Sequence, residues 1–190
     1  MNEENKIIIQ LHKPGKKEMF FFFLSGVIVS VPLTLYTGIF SNHLCVLIPI
    51  LYSVICSTTI MVPFIEEFAK AFPLFYRHGE TEKSIFNLGF LVGLGFGLTE
   101  LFIYVFVSGA SIYARLPALL FHAASTSITA YGIALKRTMQ FYLVAVFLHL
   151  MNNFLVTNNS YWFPAGPVVL LTTYFSSWHL YSRSREKMIS

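Results

Sequence analysis

Six stretches of this 190-residue chain are apolar over the roughly 20 residues that an α-helix needs to cross the hydrocarbon core of a bilayer. They cover 19–40, 44–76, 84–107, 113–135, 139–156 and 161–181, and the second is overlong and contains Pro63 and Pro73. Short polar connections at 41–43, 77–83, 108–112, 136–138 and 157–160 leave room for hairpins only, so neighbouring helices must run antiparallel. In lipid every backbone N–H and C=O has to find its partner within the protein. The expected fold is therefore an all-α, polytopic membrane helical bundle of about six transmembrane helices. Composition agrees: 55% of residues are hydrophobic, 17% aromatic and only 12% charged.

The net charge of +4 could suggest a nucleic-acid partner, but the basic residues sort by loop. With both termini placed in the cytoplasm, twelve Lys and Arg fall on the inner side and Arg115 alone falls outside. That asymmetry follows the positive-inside rule and points to a lipid bilayer, with no nucleic acid. The first apolar run carries no Ala-x-Ala site after it and reads as a retained span. The expected organisation is a basic cytoplasmic tail at 1–18, one transmembrane domain at 19–182 with its motifs between 63 and 153, and a short basic cytoplasmic tail at 183–190. Cys45 and Cys56 have no metal or redox spacing and read as unpaired thiols packed as small hydrophobes.

Within the apolar runs lie four polar signatures: Glu66-Glu67-x-x-Lys70, Phe96-x-x-x-Glu100, His122-x-x-x-Thr126 and His149-x-x-x-Asn153. A charged group at a helix centre costs roughly 2.5–3.5 kcal/mol on an insertion scale, so such groups mark function by default. Counting the rise per residue from the inner helix ends puts Glu67 and His149 at about 14 Å, His122 and Asn153 at about 20 Å and Glu100 at about 24 Å. Four helices thus deliver polar side chains into one slab about 10 Å thick, with Glu100 a turn too high. Glycines at 89, 93, 95 and 97 give the third helix a small-residue face, and Pro63 and Pro73 are expected to kink the second.

Each residue also has a plain structural reading. A lone intramembrane histidine often only bonds a neighbouring helix, Asn153 can be interhelical glue, and Thr126 can bond its own backbone. Lys70 can pair back to Glu66 or reach the inner interface, and Arg115 can snorkel at the outer one. The joint pattern, rather than any one residue, argues for a site.

In this order, Glu-Glu-x-x-Lys, Gly-x-Gly-Phe-Gly-x-x-Glu, Arg, His-x-x-x-Thr, Gly132 and His-x-x-x-Asn, the motifs resemble PrsW-type intramembrane proteases, relatives of the CAAX prenyl proteases and of bacteriocin-processing membrane proteins. The CAAX branch is similar but has Glu-Glu-x-x-x-Arg and Phe-x-x-x-His, where this chain has Lys70 and Glu100. Leu101 stands where Asn is common in the PrsW branch. The resemblance implies hydrolysis of a peptide bond in a single-span membrane protein, such as an anti-sigma factor, in a prokaryotic plasma membrane.

The residues can be read toward that chemistry. A carboxylate withdrawn from water is a stronger base, so Glu66 is expected to activate a water with help from His122. Glu67 would orient the site through His149 or Lys70. His149 and Asn153 would stabilise an oxyanion. Glu100 would be a second acid or base, or hold an imidazole tautomer. Phe96, Thr126, Lys70 and Arg115 are supporting residues. No cofactor is favoured, and Zn2+ on His122, His149 and Glu66 is the alternative, since the His-Glu-x-x-His spacing of many zinc proteases is absent. A proton- or ion-coupled transporter, a bis-histidine haem protein and an inactive partner-binding relative remain other readings of the same residues.

Overall fold

The structure, a computed structural model, describes residues 12–76, 81–157 and 159–186. Most of the two expected tails, together with Arg77 and His78, lie outside the described residues. Among those described the chain is 88% helical with no strands, in six rods: α1 (Lys16–Cys45), α2 (Ile50–Tyr76), α3 (Glu82–Val107), α4 (Ile112–Ala134), α5 (Thr138–Thr157) and α6 (Asn159–Arg183). Three of them, α1, α3 and α5, are long and apolar enough to cross a membrane by composition alone.

The remaining rods are more polar for physical reasons. Helix α4 is buried on every side from Phe121 to Gly132, so its polar groups face protein instead of lipid. Several close onto their own backbone: Thr126 Oγ1 donates to the His122 carbonyl at 2.8 Å and Ser127 Oγ to that of Ala124 at 2.7 Å. Helix α2 is composite. A wide, π-type stretch at Ile55–Met61 precedes Pro63, and a tight 3₁₀ turn at Phe72–Tyr76 contains Pro73. Proline has no N–H to give to the preceding turn and its ring crowds the carbonyl there, so the turn widens and carbonyls come free. The same pairing recurs in α1, where a π-type turn at Gly26–Ser30 precedes Pro32.

The helix boundaries fall close to the apolar runs except between the first two. The break expected at 41–43 lies instead at 46–49. Ser41 is accommodated in the helix by donating to the Gly38 carbonyl at 2.9 Å, and the helix ends ahead of Pro49, which disfavours helical geometry in the residue before it. The cysteines also depart from expectation. Cys45 and Cys56 form a disulfide with their Cα atoms 5.7 Å apart, because the start of α2 folds back alongside the end of α1.

Helix α3 packs along α4, which also touches α5 and α6, while α2 lies against α1 and α5. Glycine sets the closest approach. A Cβ on Gly93 would sit 2.3 Å from the His122 carbonyl oxygen and 2.7 Å from Thr126 Oγ1, and one on Gly97 would sit 2.8 Å from the Leu119 carbonyl. Gly95 faces the other way, toward the Phe23 carbonyl of α1. The glycine-rich face is therefore two faces, and the one formed by Gly89, Gly93 and Gly97 holds the His122 backbone against the helix that carries Glu100. Gly93→Val should lower stability by about 1–3 kcal/mol through overpacking. Thermal unfolding in detergent checks this, with Gly38→Ala, which meets nothing within 4 Å, as the unaffected control.

Candidate active site

Lys70 and Glu67 define the centre. Both are essentially inaccessible, at 0% and 1% exposure, and Lys70 Nζ lies 2.7 Å from Glu67 Oε1. Lys70 neither pairs with Glu66 nor reaches the interface: it sits one turn after Glu67 on the face turned toward α4. Two successive residues of a helix point about 100° apart, so Glu66 and Glu67 cannot share one environment. Glu67 faces into the bundle, while Glu66 faces a cavity.

Glu67 Oε1 collects three donors: Lys70 Nζ, His149 Nδ1 at 2.8 Å and Ser125 Oγ at 3.1 Å. On the other side, Lys70 Nζ lies 2.9 Å from His122 Nδ1. An ammonium only donates, so Nδ1 of His122 is an acceptor and its proton belongs on Nε2. That nitrogen meets Glu100 Oε2 at 2.5 Å, and Glu100 Oε1 accepts from Arg115 Nη2 at 3.1 Å. The connected series runs Arg115, Glu100, His122, Lys70, Glu67, His149. An imidazole placed between Lys70 and Glu100 bridges the difference in height that helix rise alone leaves between Glu67 and Glu100. Phe96 closes this group from above, with Lys70 Nζ 5.0 Å from its ring centroid and the His122 ring 5.1 Å away edge-on.

The end of the series meets Glu66. Because His149 Nδ1 is turned to Glu67, a carboxylate that accepts, Nε2 presents a lone pair. It faces Glu66 Oε2 across 3.7 Å, and that oxygen is buried without a hydrogen-bond partner. Two acceptors facing each other call for something between them that carries positive charge or protons. Glu66, His122 and His149 also offer donor atoms all within 4.8 Å of one another, a set able to hold a metal ion. His122 would exchange its contact with Lys70 or Glu100 for the ion, whereas Glu66 Oε2 and His149 Nε2 have no contact to lose.

A cavity of about 200 Å³ opens beside them, lined among others by Glu66, Glu100, Arg115, His122, His149 and Asn153. Its lining runs from Glu66 and His149 to Thr58, Tyr104 and Arg115, which lie nearer the 46–49 and 108–111 connections. Of the ten candidate residues, Glu66, Glu67, Lys70, Phe96, Glu100, Arg115, His122 and His149 form one cluster. Thr126 is not in it: its hydroxyl is spent on the His122 carbonyl, next to Gly93. Asn153 lines the cavity, and its Nδ2 donates to the Thr58 carbonyl at 3.0 Å, in the wide turn ahead of Pro63. Two residues outside the ten candidates join them: Ser125, unsuited by sequence to be a nucleophile, is bonded to Glu67, and Asn152 lines the cavity, its only signal in the sequence being the tandem Asn152-Asn153. Ser125 is wholly buried and does not line the cavity, which leaves it no route to a substrate.

Removing one partner of a buried ion pair strands the other charge. Lys70→Met should therefore cost about 3–5 kcal/mol. Thermal unfolding in detergent would show it, and adding Glu67→Gln to the same chain should recover part of the loss.

A family model described as PrsW family intramembrane metalloprotease matches residues 15–180. No curated protein and no solved structure matches the chain. The matched span takes in α1 to α5 whole, α6 as far as Leu180, and every residue of the cluster. The protein is an integral membrane protein and belongs to the PrsW family of intramembrane proteases.

Proposed function

We propose that this chain hydrolyses a peptide bond of a single-span membrane protein in the cavity between Glu66 and Glu100. The observation that carries the reading is the unpartnered Glu66 Oε2 facing the lone pair of His149 Nε2. A water between them can donate one hydrogen to each. Its oxygen then attacks the substrate carbonyl carbon as Glu66 takes the proton, and the same proton passes to the leaving nitrogen when the C–N bond breaks. Asn153 uses one N–H on Thr58 and keeps the second for the developing oxyanion. Glu67 holds His149 in the tautomer this requires, and Glu100 does the same for His122.

The metal-bound version of the site uses the same residues. Glu66, His122 and His149 would hold a divalent cation such as Zn2+, which when bound supplies Lewis-acid polarisation of a carbonyl and a more acidic water. The family description and the converging donor atoms favour keeping this second reading.

Six spans with both termini in the cytoplasm fit this picture. Disulfides persist in oxidising compartments, and Cys45–Cys56 lies at the bundle end opposite Lys13, Lys83 and Lys136, so the pair supports the orientation that the basic residues give.

Purified wild type and Glu66→Gln, tested on a panel of single-span membrane proteins, separate the readings. The variant should keep its thermal stability and lose activity by about 10²–10⁴-fold, the range for a general base. Loss of wild-type cleavage on chelation, restored by zinc alone, would assign water activation to a bound ion; full activity after chelation and dialysis would assign it to Glu66 and His149. Absence of cleavage, with Glu66-dependent proton or ion movement in proteoliposomes, would replace the protease reading by a transporter.

A further inference from the structure

A second cavity, of about 370 Å³, adjoins the first and shares Arg115, Ala118, Asn152 and Val156 with it as walls. It extends past Tyr113 and Pro117 to Leu170 of α6, and its volume lies in the roughly 300–1,000 Å³ range of ligand clefts. The shared wall holds two polar atoms that are buried and have no hydrogen-bond partner: Arg115 Nε on α4 and Asn152 Oδ1 on α5. Elsewhere on the Arg115 head, Nη2 is on Glu100 and the guanidinium carbon lies 3.6 Å from the Tyr104 ring centroid. One atom is a fixed donor and the other, a carboxamide oxygen, a fixed acceptor.

A peptide bond inside a helix is shielded from attack, so a transmembrane substrate must open locally before it is cut. Opening leaves N–H and C=O groups without partners in a medium that offers none. A groove that cuts such a segment has to return those hydrogen bonds, as sheet edges do for peptides they bind. The shared wall offers one donor and one acceptor, which is the complement of one opened peptide unit. We propose that Asn152 Oδ1 and Arg115 Nε bind the main chain of the opened substrate segment beside the scissile bond, the former accepting from an N–H and the latter donating to a C=O. This rests on the protease reading and assigns substrate positioning to a residue outside the reacting pair. Side-chain identity is not read at these two atoms, so the contact would hold any sequence that can unwind there.

The test uses a synthetic single-span peptide that wild type cleaves. It is made as the all-amide form and as a set in which one amide at a time, away from the scissile bond, is replaced by an ester, which removes a single N–H. One ester position should lower wild-type kcat/KM by up to about tenfold, mostly through KM. Asn152→Leu should lower cleavage of the all-amide peptide by a similar factor with unchanged thermal stability, and should be indifferent to that same ester. Wild type insensitive to every ester overturns the proposal without needing any variant to fold. So does an Asn152→Leu loss that multiplies with the ester loss. If wild type cleaves no peptide in the panel, the protease reading itself fails, an outcome distinct from both.

Discussion

One buried ion pair, Lys70 with Glu67, sets the terms for everything around it. A charge out of water is tolerated only when partners satisfy it, and here the partners come from different helices. Glu67 fixes His149 and takes up Ser125. Lys70 fixes the acceptor side of His122 and so turns its proton toward Glu100. The two imidazoles are thus held in defined tautomers by a single pair of opposite charges. The three donors converge on one oxygen of Glu67, and the neighbouring Glu66 keeps its Oε2 unbonded opposite His149. The different surroundings of the two carboxylates arise from roughly 100° of helical rotation.

Much of this could be read from the sequence. Apolar runs and short polar connections located the six rods to within a few residues, because in lipid the helix is the only element a single apolar segment can form. The spacing of Glu, His and Lys on successive runs located the cluster, because such residues are too costly to place there idly. The glycines on α3 signalled a close helix contact, though which glycine faces α1 and which α4 depends on tertiary packing. Other features lay beyond any local pattern. The break between α1 and α2 moved because a serine that bonds its own backbone does not stop a helix and a proline does. The disulfide depended on α2 folding back to bring position 56 beside position 45, which no sequence separation specifies. Whether Lys70 reached Glu66, Glu67 or the interface turned on the direction the kinked α2 presents to α4.

Proline has a double effect in this fold. By widening the turn ahead of it, Pro63 frees the Thr58 carbonyl, which receives Asn153 of α5, and beyond the proline the Phe64 carbonyl receives the Tyr142 hydroxyl of the same helix at 2.8 Å. The irregularity that brings Glu66 and Glu67 to their positions also supplies the hydrogen bonds that tie α2 to α5. Backbone irregularity at membrane depth is tolerated here because the Thr58 and Phe64 carbonyls are taken up by side chains of α5.

The order of the helices along the chain has a bearing on biogenesis. Glu66, Glu67 and Lys70 enter the bilayer on α2, before His122, Ser125 and His149 have been synthesised. During that interval Glu67 and Lys70, one turn apart on the same helix, can neutralise each other before their partners on α4 and α5 arrive. The cysteine bridge joins α1 to α2 without reference to any later helix, so the first hairpin can be sealed while the rest of the protein is still on the ribosome. The polar centre is then completed around a pair that arrived already matched.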